Sequence, residues 1–426
     1  MESNDNIHST LNHLFRQESG KMVAVLVKIF GIENIEIAED VVQDALVSAL
    51  ETWKFRGIPD NPKAWLYRTA RNKAIDIIRR KKHSKTIDFS DPERKLLTSE
   101  YTLSSTMDNF WKEEYIQDDF LAMMYACCHP DISPENQITF ILKSLCGFST
   151  KEVAKSFLTS EDTISKRIYR TKEYFRKHQI RPEIPYPEEI TSKTSVVLNT
   201  IYLIFNEGYN STHNDQLIRK DIISQALWLC KSLLDVELTQ LPEVYALMAL
   251  MLFHTARLDS RINDQGELIL LSDQDRTSWN KELIAQGSRY LNQSAFGESL
   301  STYHLEAAIA YKHCVADSYD NTDWKEILKY YDLLLKIKKD PIVSLNRCLV
   351  ILELYGAEKA LGTIQSIGED HKLLEKYYLY YSILGEIYER LMKPTIAIEY
   401  YEKAIKLTQS DPEKRLLKHK MSKILN

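Results

Sequence analysis

Glycine and proline are scarce in this chain, 12 of each in 426 residues. They are the usual punctuation of turns and strand ends. Their shortage, with helical periodicity nearly everywhere and no convincing alternating strand, argues against a strand-rich fold and for an all-α chain. No apolar run approaches the ~18 residues of a membrane span. The polar stretch 1–17 lacks the apolar core of a signal peptide, so the expected compartment is the cytoplasm. The six cysteines (Cys127, Cys128, Cys146, Cys230, Cys314, Cys348) form no CxxC pair, which points to buried, reduced thiols. Cys127-Cys128-His129 is a poor metal site, because neighbours on a helix point ~100° apart. There is no nucleotide loop, zincin pair or nucleophile elbow. His254, His304, His313 and His371 are scattered along the chain and read as surface or satisfied core residues. The sequence therefore implies no catalytic residue, no metal, no cofactor and no enzyme.

What is present is basic charge in two islands. Lys and Arg number 55 against 60 Asp and Glu, a net of -5. Residues 54–85 hold 11 basic against 2 acidic residues, and residues 143–181 hold 10 against 4, which leaves -20 for the rest. A solvated helix face is the common meaning of a charge run. Two islands, one with helix-turn-helix grammar, point instead to a polyanion. In that island Ser149 and Glu152 stand as a capping box, and Val153, Ala154 and Phe157 share a face. After a short polar break, Ser160 is a second N-cap. Ile164, Ile168 and Phe175 form the buried stripe of the next helix, whose other face carries Lys166, Arg167, Arg170 and Lys172. Such a helix suits a major groove, with its N-terminal side chains on base edges.

The length allows two to four domains, and composition divides the chain. Residues 8–83 read as a small helical domain. It has an apolar helix at 22–30 and an acidic helix at 35–53 (Glu36, Glu39, Asp40, Asp44, Glu51). A loop at 54–62 follows, then a basic helix at 64–82 with Trp65, Leu66, Ala70, Ala74 and Ile77 inward. Residues 84–115 carry Asp88, Asp91, Glu93, Glu100, Asp108, Glu113 and Glu114, show no apolar periodicity and read as a flexible acidic linker. The helix-turn-helix domain spans 116–180. Pro182, Pro185 and Pro187 make a stiff break before an extension at 190–426. Within it, Tyr381, Leu384, Gly385 and Tyr388, then Ala397, Tyr401 and Ala404, fit one tetratricopeptide unit. Earlier helix pairs keep the form without the signature, so a degenerate repeat array competes with a plain helical bundle.

Three stretches carry a family resemblance: Ile37-Ala38-Glu39-Asp40-Val41-Val42-Gln43-Asp44-Ala45, Ala64-Trp65-Leu66-Tyr67-Arg68-Thr69-Ala70-Arg71-Asn72-Lys73-Ala74-Ile75-Asp76, and Arg79-Arg80. Together they resemble region two of an extracytoplasmic-function RNA polymerase sigma factor, and 147–176 resembles region four. Cys127-Cys128-His129-Pro130, Tyr202-Leu203-Ile204-Phe205-Asn206-Glu207-Gly208-Tyr209 and Asp323-Trp324 resemble the subgroup with a tetratricopeptide-like C-terminal extension. One departure is Tyr355-Gly356-Ala357, where that subgroup shows Asp-Gly-Pro.

The resemblance implies two partners, core RNA polymerase and promoter DNA. Asp40, Gln43 and Asp44 would dock on polymerase. Phe55, Arg56, Asp60 and Asn61 would hold a flipped base of the -10 element. Arg68, Arg71, Lys73, Arg79, Arg80 and Lys81 would hold phosphates. Glu161, Asp162, Thr163, Ser165, Lys166 and Arg167 would face bases of the -35 element, and Arg170 and Lys172 its backbone. The extension would dock on the sigma core or take a protein partner, with no membrane involved. A helix-turn-helix regulator that works without polymerase, and a scaffold led by its repeats, stay open beside this reading.

Overall fold

The computed structural model describes residues 2–81, 87, 92–157, 159–178, 180, 183, 186–211, 217–263, 267–298, 300–367 and 374–425. Among these residues the chain is helical, with one isolated bridge between Ile262 and Leu268, as the all-α expectation requires. The first helices are α1 Glu2–Phe30, α2 Ile35–Arg56, α3 Pro62–Lys81, α4 Pro92–Lys95, α5 Glu100–Phe110, α6 Glu113–Ala126, α7 Pro134–Phe140, α8 Thr150–Ser156 and α9 Glu161–Lys177. Then come α10 Pro187–Tyr209, α11 Lys220–Leu234, α12 Pro242–Thr255, α13 Lys281–Gln293, α14 Thr302–Val315 and α15 Trp324–Ile337. The last are α16 Pro341–Tyr355, α17 Ala357–Gln365, α18 Tyr378–Arg390, α19 Pro394–Leu407 and α20 Asp411–Leu425. Two compact units result, Met1–Glu207 with Ser224–Thr239, and Gly208–Ile223 with Gln240–Asn426.

In the first unit α1 is the shared core. Met22, Val23, Ala24, Val25, Leu26, Val27, Ile29 and Phe30 are all buried, so this stretch is covered on every side rather than along one stripe. The helices α2 and α3 pack on it, as do α6 and a π turn at Ile141–Leu145. Gly20 permits the last contact, since a Cβ there would stand 1.7 Å from the Leu145 carbonyl oxygen. Both basic islands are thus built on one core.

The stretch read as a flexible linker differs from that expectation. It contains α4 and α5, and α5 buries Leu103, Thr106, Met107 and Phe110, which are spaced as one helical stripe. Four positions, one of them a threonine, are too short a pattern to stand out in sequence. Asp88, Asp91, Pro182 and Pro185 lie outside the described residues.

The extension read as starting at 190 also contributes its first helices to this unit. The Tyr125 and Thr194 hydroxyls meet at 2.8 Å in the interior. Gln117 donates to Ser232 at 2.8 Å, Lys21 lies 4.7 Å over the Trp228 ring, and Phe120 packs 5.8 Å from it. Val197, Leu198, Ile201, Ile204, Phe205, Leu229 and Leu233 are buried. A chain ended after Glu189 exposes the apolar surface they cover. It should aggregate or run as oligomers in size-exclusion chromatography, and a soluble monomeric product would refute this packing.

In the second unit, α12 is buried nearly all round, from Val244 to Phe253, and the later helices pack each on the next. The pair α18 and α19 shows why. Ala397, Tyr401 and Ala404 are fully buried, and a Cβ on Gly385 would come within 2.5 Å of the Tyr401 ring. Glycine there lets the two helices touch. The Tyr355-Gly356-Ala357 departure is the joint of α16 and α17, with Ala357 in the first helical position. That is a place proline tolerates but the helix does not require.

Candidate nucleic-acid interface

The helix α2 buries Ile35, Ala38, Val41, Val42, Ala45, Ala49 and Trp53. Asp40, Gln43 and Asp44 are left exposed on the opposite side. Val47, half exposed, extends their row and was not singled out from sequence. No ion pair holds Asp40 or Asp44 among the described residues. Glu36 and Glu39, one step round the helix, are in contrast paired, Glu39 with Lys172 at 2.5 Å and Glu36 with Arg176 at 2.9 Å.

The helix runs two residues past Lys54, so Phe55 and Arg56 belong to its last turn rather than to a loop. Phe55 is 90% exposed, an unusual position for a phenylalanine. Asn61 accepts a hydrogen bond from the Ala64 amide at 2.9 Å, which makes it the N-cap of α3. Asp60 beside it is exposed. Trp53 is core and meets Trp65 edge-on at 5.6 Å.

On α3 the buried residues are Leu66, Ala70, Ala74, Ile75 and Ile78. Ile75 and Ile78 replace Ile77, the inward residue expected from sequence. Arg68 and Arg80 are exposed, and Lys73 and Lys81 are half-buried. The remaining two cations meet the acidic helix α5. Arg71 pairs with Asp108 at 2.8 Å and donates to the Ser104 hydroxyl at 2.9 Å, and Arg79 pairs with Glu100 at 3.2 Å. Carboxylates of α5 thus occupy both guanidinium groups.

The second island folds as its caps dictate. The Ser149 hydroxyl accepts the Glu152 amide at 3.2 Å, and Glu152 accepts the Ser149 amide at 2.6 Å. Ser160 accepts the Thr163 amide at 3.2 Å and starts α9. Ile164, Thr171 and Phe175 are buried, with Phe175 against Phe140 at 5.1 Å, while Ile168, expected in the same stripe, is half-buried. Glu161, Asp162, Ser165, Lys166 and Arg170 are exposed, and Thr163 is half-buried. Tyr169, 65% exposed in the same face, was not anticipated. Arg167 lies 5.1 Å over the Phe157 ring with one terminal nitrogen buried and without a hydrogen bond. Lys172 points to Glu39 rather than to solvent.

Two contacts found only in three dimensions hold α8 and α9 in place. Glu152 is buried and pairs with Arg16 of α1 at 2.9 Å. Burial opposes its charge, but the Arg16 guanidinium and the Ser149 hydrogen bonds outweigh this and hold the carboxyl down at about 2. The Tyr174 hydroxyl meets His129 Nδ1 at 2.9 Å and donates to Asp131 at 2.9 Å. The Cys127-Cys128-His129 stretch thereby positions α9. Its two thiols are buried, and burial pushes both upward. No group of His, Cys, Asp or Glu able to hold a metal occurs among the described residues, and no described helix is long and apolar enough to cross a membrane.

Comparison with known proteins matches residues 14–84 to sigma-70 region 2 and residues 193–295 to a family of unknown function (DUF6596). An uncharacterized protein of Rhizobium meliloti (strain 1021) is 30% identical over 380 residues, spanning 89% of this chain and 88% of its own length.

Proposed function

We propose that the chain, which carries a sigma-70 region 2 over residues 14–84, is a sigma-70 factor of the extracytoplasmic-function type with a helical-repeat extension. Sigma-70 factors work with RNA polymerase on promoter DNA, which names its two partners. In this reading residues 8–83 bind core polymerase and the -10 element, residues 116–180 bind the -35 element, and the repeats of the C-terminal region modulate both. Asp40, Gln43 and Asp44 dock on polymerase. Phe55 stacks on an unpaired base, where an aromatic contact is worth about 1–3 kcal/mol. Arg68, Lys73, Arg80 and Lys81 hold phosphate, joined by Arg71 and Arg79 once DNA displaces α5. The exposed face of α9 reads bases in the major groove. The protein acts by binding, not by catalysis.

The observation that carries this reading is the join of an unpaired acidic face, Asp40–Asp44, to an exposed Phe55 and a basic helix. A helix-turn-helix regulator that binds only duplex DNA has no use for an exposed stacking residue beside an acidic docking face.

Run-off transcription with purified core polymerase on a library of promoter fragments tests it. The protein should select fragments that share two spaced elements. Lys166→Ala should relax discrimination at one upstream position, a loss of about 1–3 kcal/mol. Arg80→Ala should weaken binding to all fragments alike and flatten the salt dependence. Transcription by core polymerase that is indifferent to the protein defeats the proposal.

A further inference from the structure

A third group of cations lies in the second unit, and the promoter reading makes no use of it. Arg257 donates to the Tyr209 hydroxyl from Nε at 2.9 Å and from a terminal nitrogen at 2.6 Å. Arg261 stacks 3.7 Å from the centre of the same ring and donates to the Tyr209 carbonyl. Arg276, buried, donates to the carbonyls of His313 and Ala316 at 2.6 and 3.0 Å and to the Thr322 hydroxyl at 3.3 Å. The His254 ring packs 5.0 Å from Tyr209, and the His313 ring 5.4 Å from Trp324. The two histidines that look scattered in sequence are therefore gathered round three arginines.

Among the described residues every acceptor of these arginines is neutral. None of the three has a carboxylate within ion-pair distance among the described residues. His313 Nδ1 is buried and has no hydrogen-bond partner among the described residues. The group is electrically one: burial, then the charges of Arg257 and its neighbours, pushes His254 well below the ordinary histidine range and His313 to about 3. Burial and Arg257 lower Arg261 and Arg276 as well. Two acids act at longer range. Glu306 acts on Tyr331, and Glu413 acts on Arg261 while accepting hydrogen bonds from Tyr378 at 2.5 Å and from Thr408.

Guanidinium groups withdrawn from water without a counter-charge are costly, and an oxyanion placed between them offsets that cost. Their fork of donors matches phosphate and carboxylate. His254, Arg257, Arg261, His313 and Tyr331 are half-buried, so each keeps part of its surface open. A half-buried group of this kind suits a small ligand rather than a polymer lying across a face. We propose that Arg257 and Arg261, backed by Arg276 and His313, form a binding site for a small phosphate- or carboxylate-bearing metabolite. The proposal is independent of polymerase binding.

The test uses the full chain, with inorganic pyrophosphate and citrate as probes, at constant ionic strength against a potassium chloride reference. Thermal melting and calorimetric titration should show saturable binding of at least one probe. Pyrophosphate alone marks a phosphate ligand, and citrate alone a carboxylate one. Arg261→Gln should weaken that binding at least about tenfold without lowering the melting temperature of the unliganded protein. If that variant fails to fold, Arg257→Lys, which keeps the charge and loses the fork, should show the same loss. Melting no different from the chloride reference, or equal affinity in wild type and in whichever variant folds, overturns the site.

Discussion

A protein carrying Asp40→Lys and Asp44→Lys should no longer co-purify with core RNA polymerase, while its circular dichroism and melting temperature stay those of the wild type. Both carboxylates are exposed on the outer side of α2, away from the stripe that packs on α1, and neither is paired among the described residues, so replacing them removes no internal contact. In the proposed docking, two cations on this face would turn attraction into repulsion, at a cost of several kcal/mol, or roughly a hundredfold or more in affinity. Glu36 and Glu39 behave differently, because they already hold Arg176 and Lys172. Their reversal should loosen α9 instead. Undiminished pull-down of polymerase by the Asp40/Asp44 double variant would remove this face from the docking surface.

The second large effect is on stability. Glu152→Gln should destabilise the first unit by about 3–5 kcal/mol, the usual result of removing one partner of a buried ion pair. It leaves the Arg16 guanidinium without its counter-charge, and one nitrogen of that group already lacks a hydrogen bond. The same carboxylate gives a pH dependence with a definite sign. Its ordinary value is near ~4.3 in an unfolded chain and it is held at about 2 in the fold. A depressed acid stabilises the fold above its unfolded value and loses that contribution as pH falls through its folded value. Urea unfolding of the wild type should therefore weaken between about pH 4 and pH 2, and the Glu152→Gln protein should show a shallower loss across that window. Parallel curves for the two proteins would mean that Arg16 and Glu152 do not form a stabilising pair in solution.

Features set by residues three or four apart were legible in the sequence. The capping box Ser149–Glu152, the cap at Ser160, the stripe Ile164 and Phe175, and the exposed row Asp40, Gln43 and Asp44 all follow from helical spacing, and the structure has them where spacing puts them. Excess basic charge at 54–85 and 143–181 was equally plain, because charge is counted without knowing the fold. The helix α5 was missed because its apolar stripe is short and diluted by acids. Phe55 reads in the sequence as a base contact, but its 90% exposure is a property of where α2 ends against its neighbours.

The amino-acid order alone determined an all-helical chain, the capped starts of α8 and α9, and the two basic faces, since each depends on neighbours within a turn or two. Only the tertiary structure decided which charges remain open. Arg16 and Glu152 stand 136 positions apart, and Lys172 and Glu39 stand 133 apart. The arginines and histidines around Tyr209 come from the end of α12 and the turn after it, from the turn at 276–278 and from α14. Such pairs are brought together by packing of apolar surface, which has no preferred partner along the chain. The charges that this packing carries into contact are specified by the fold as a whole and not by any local run of residues.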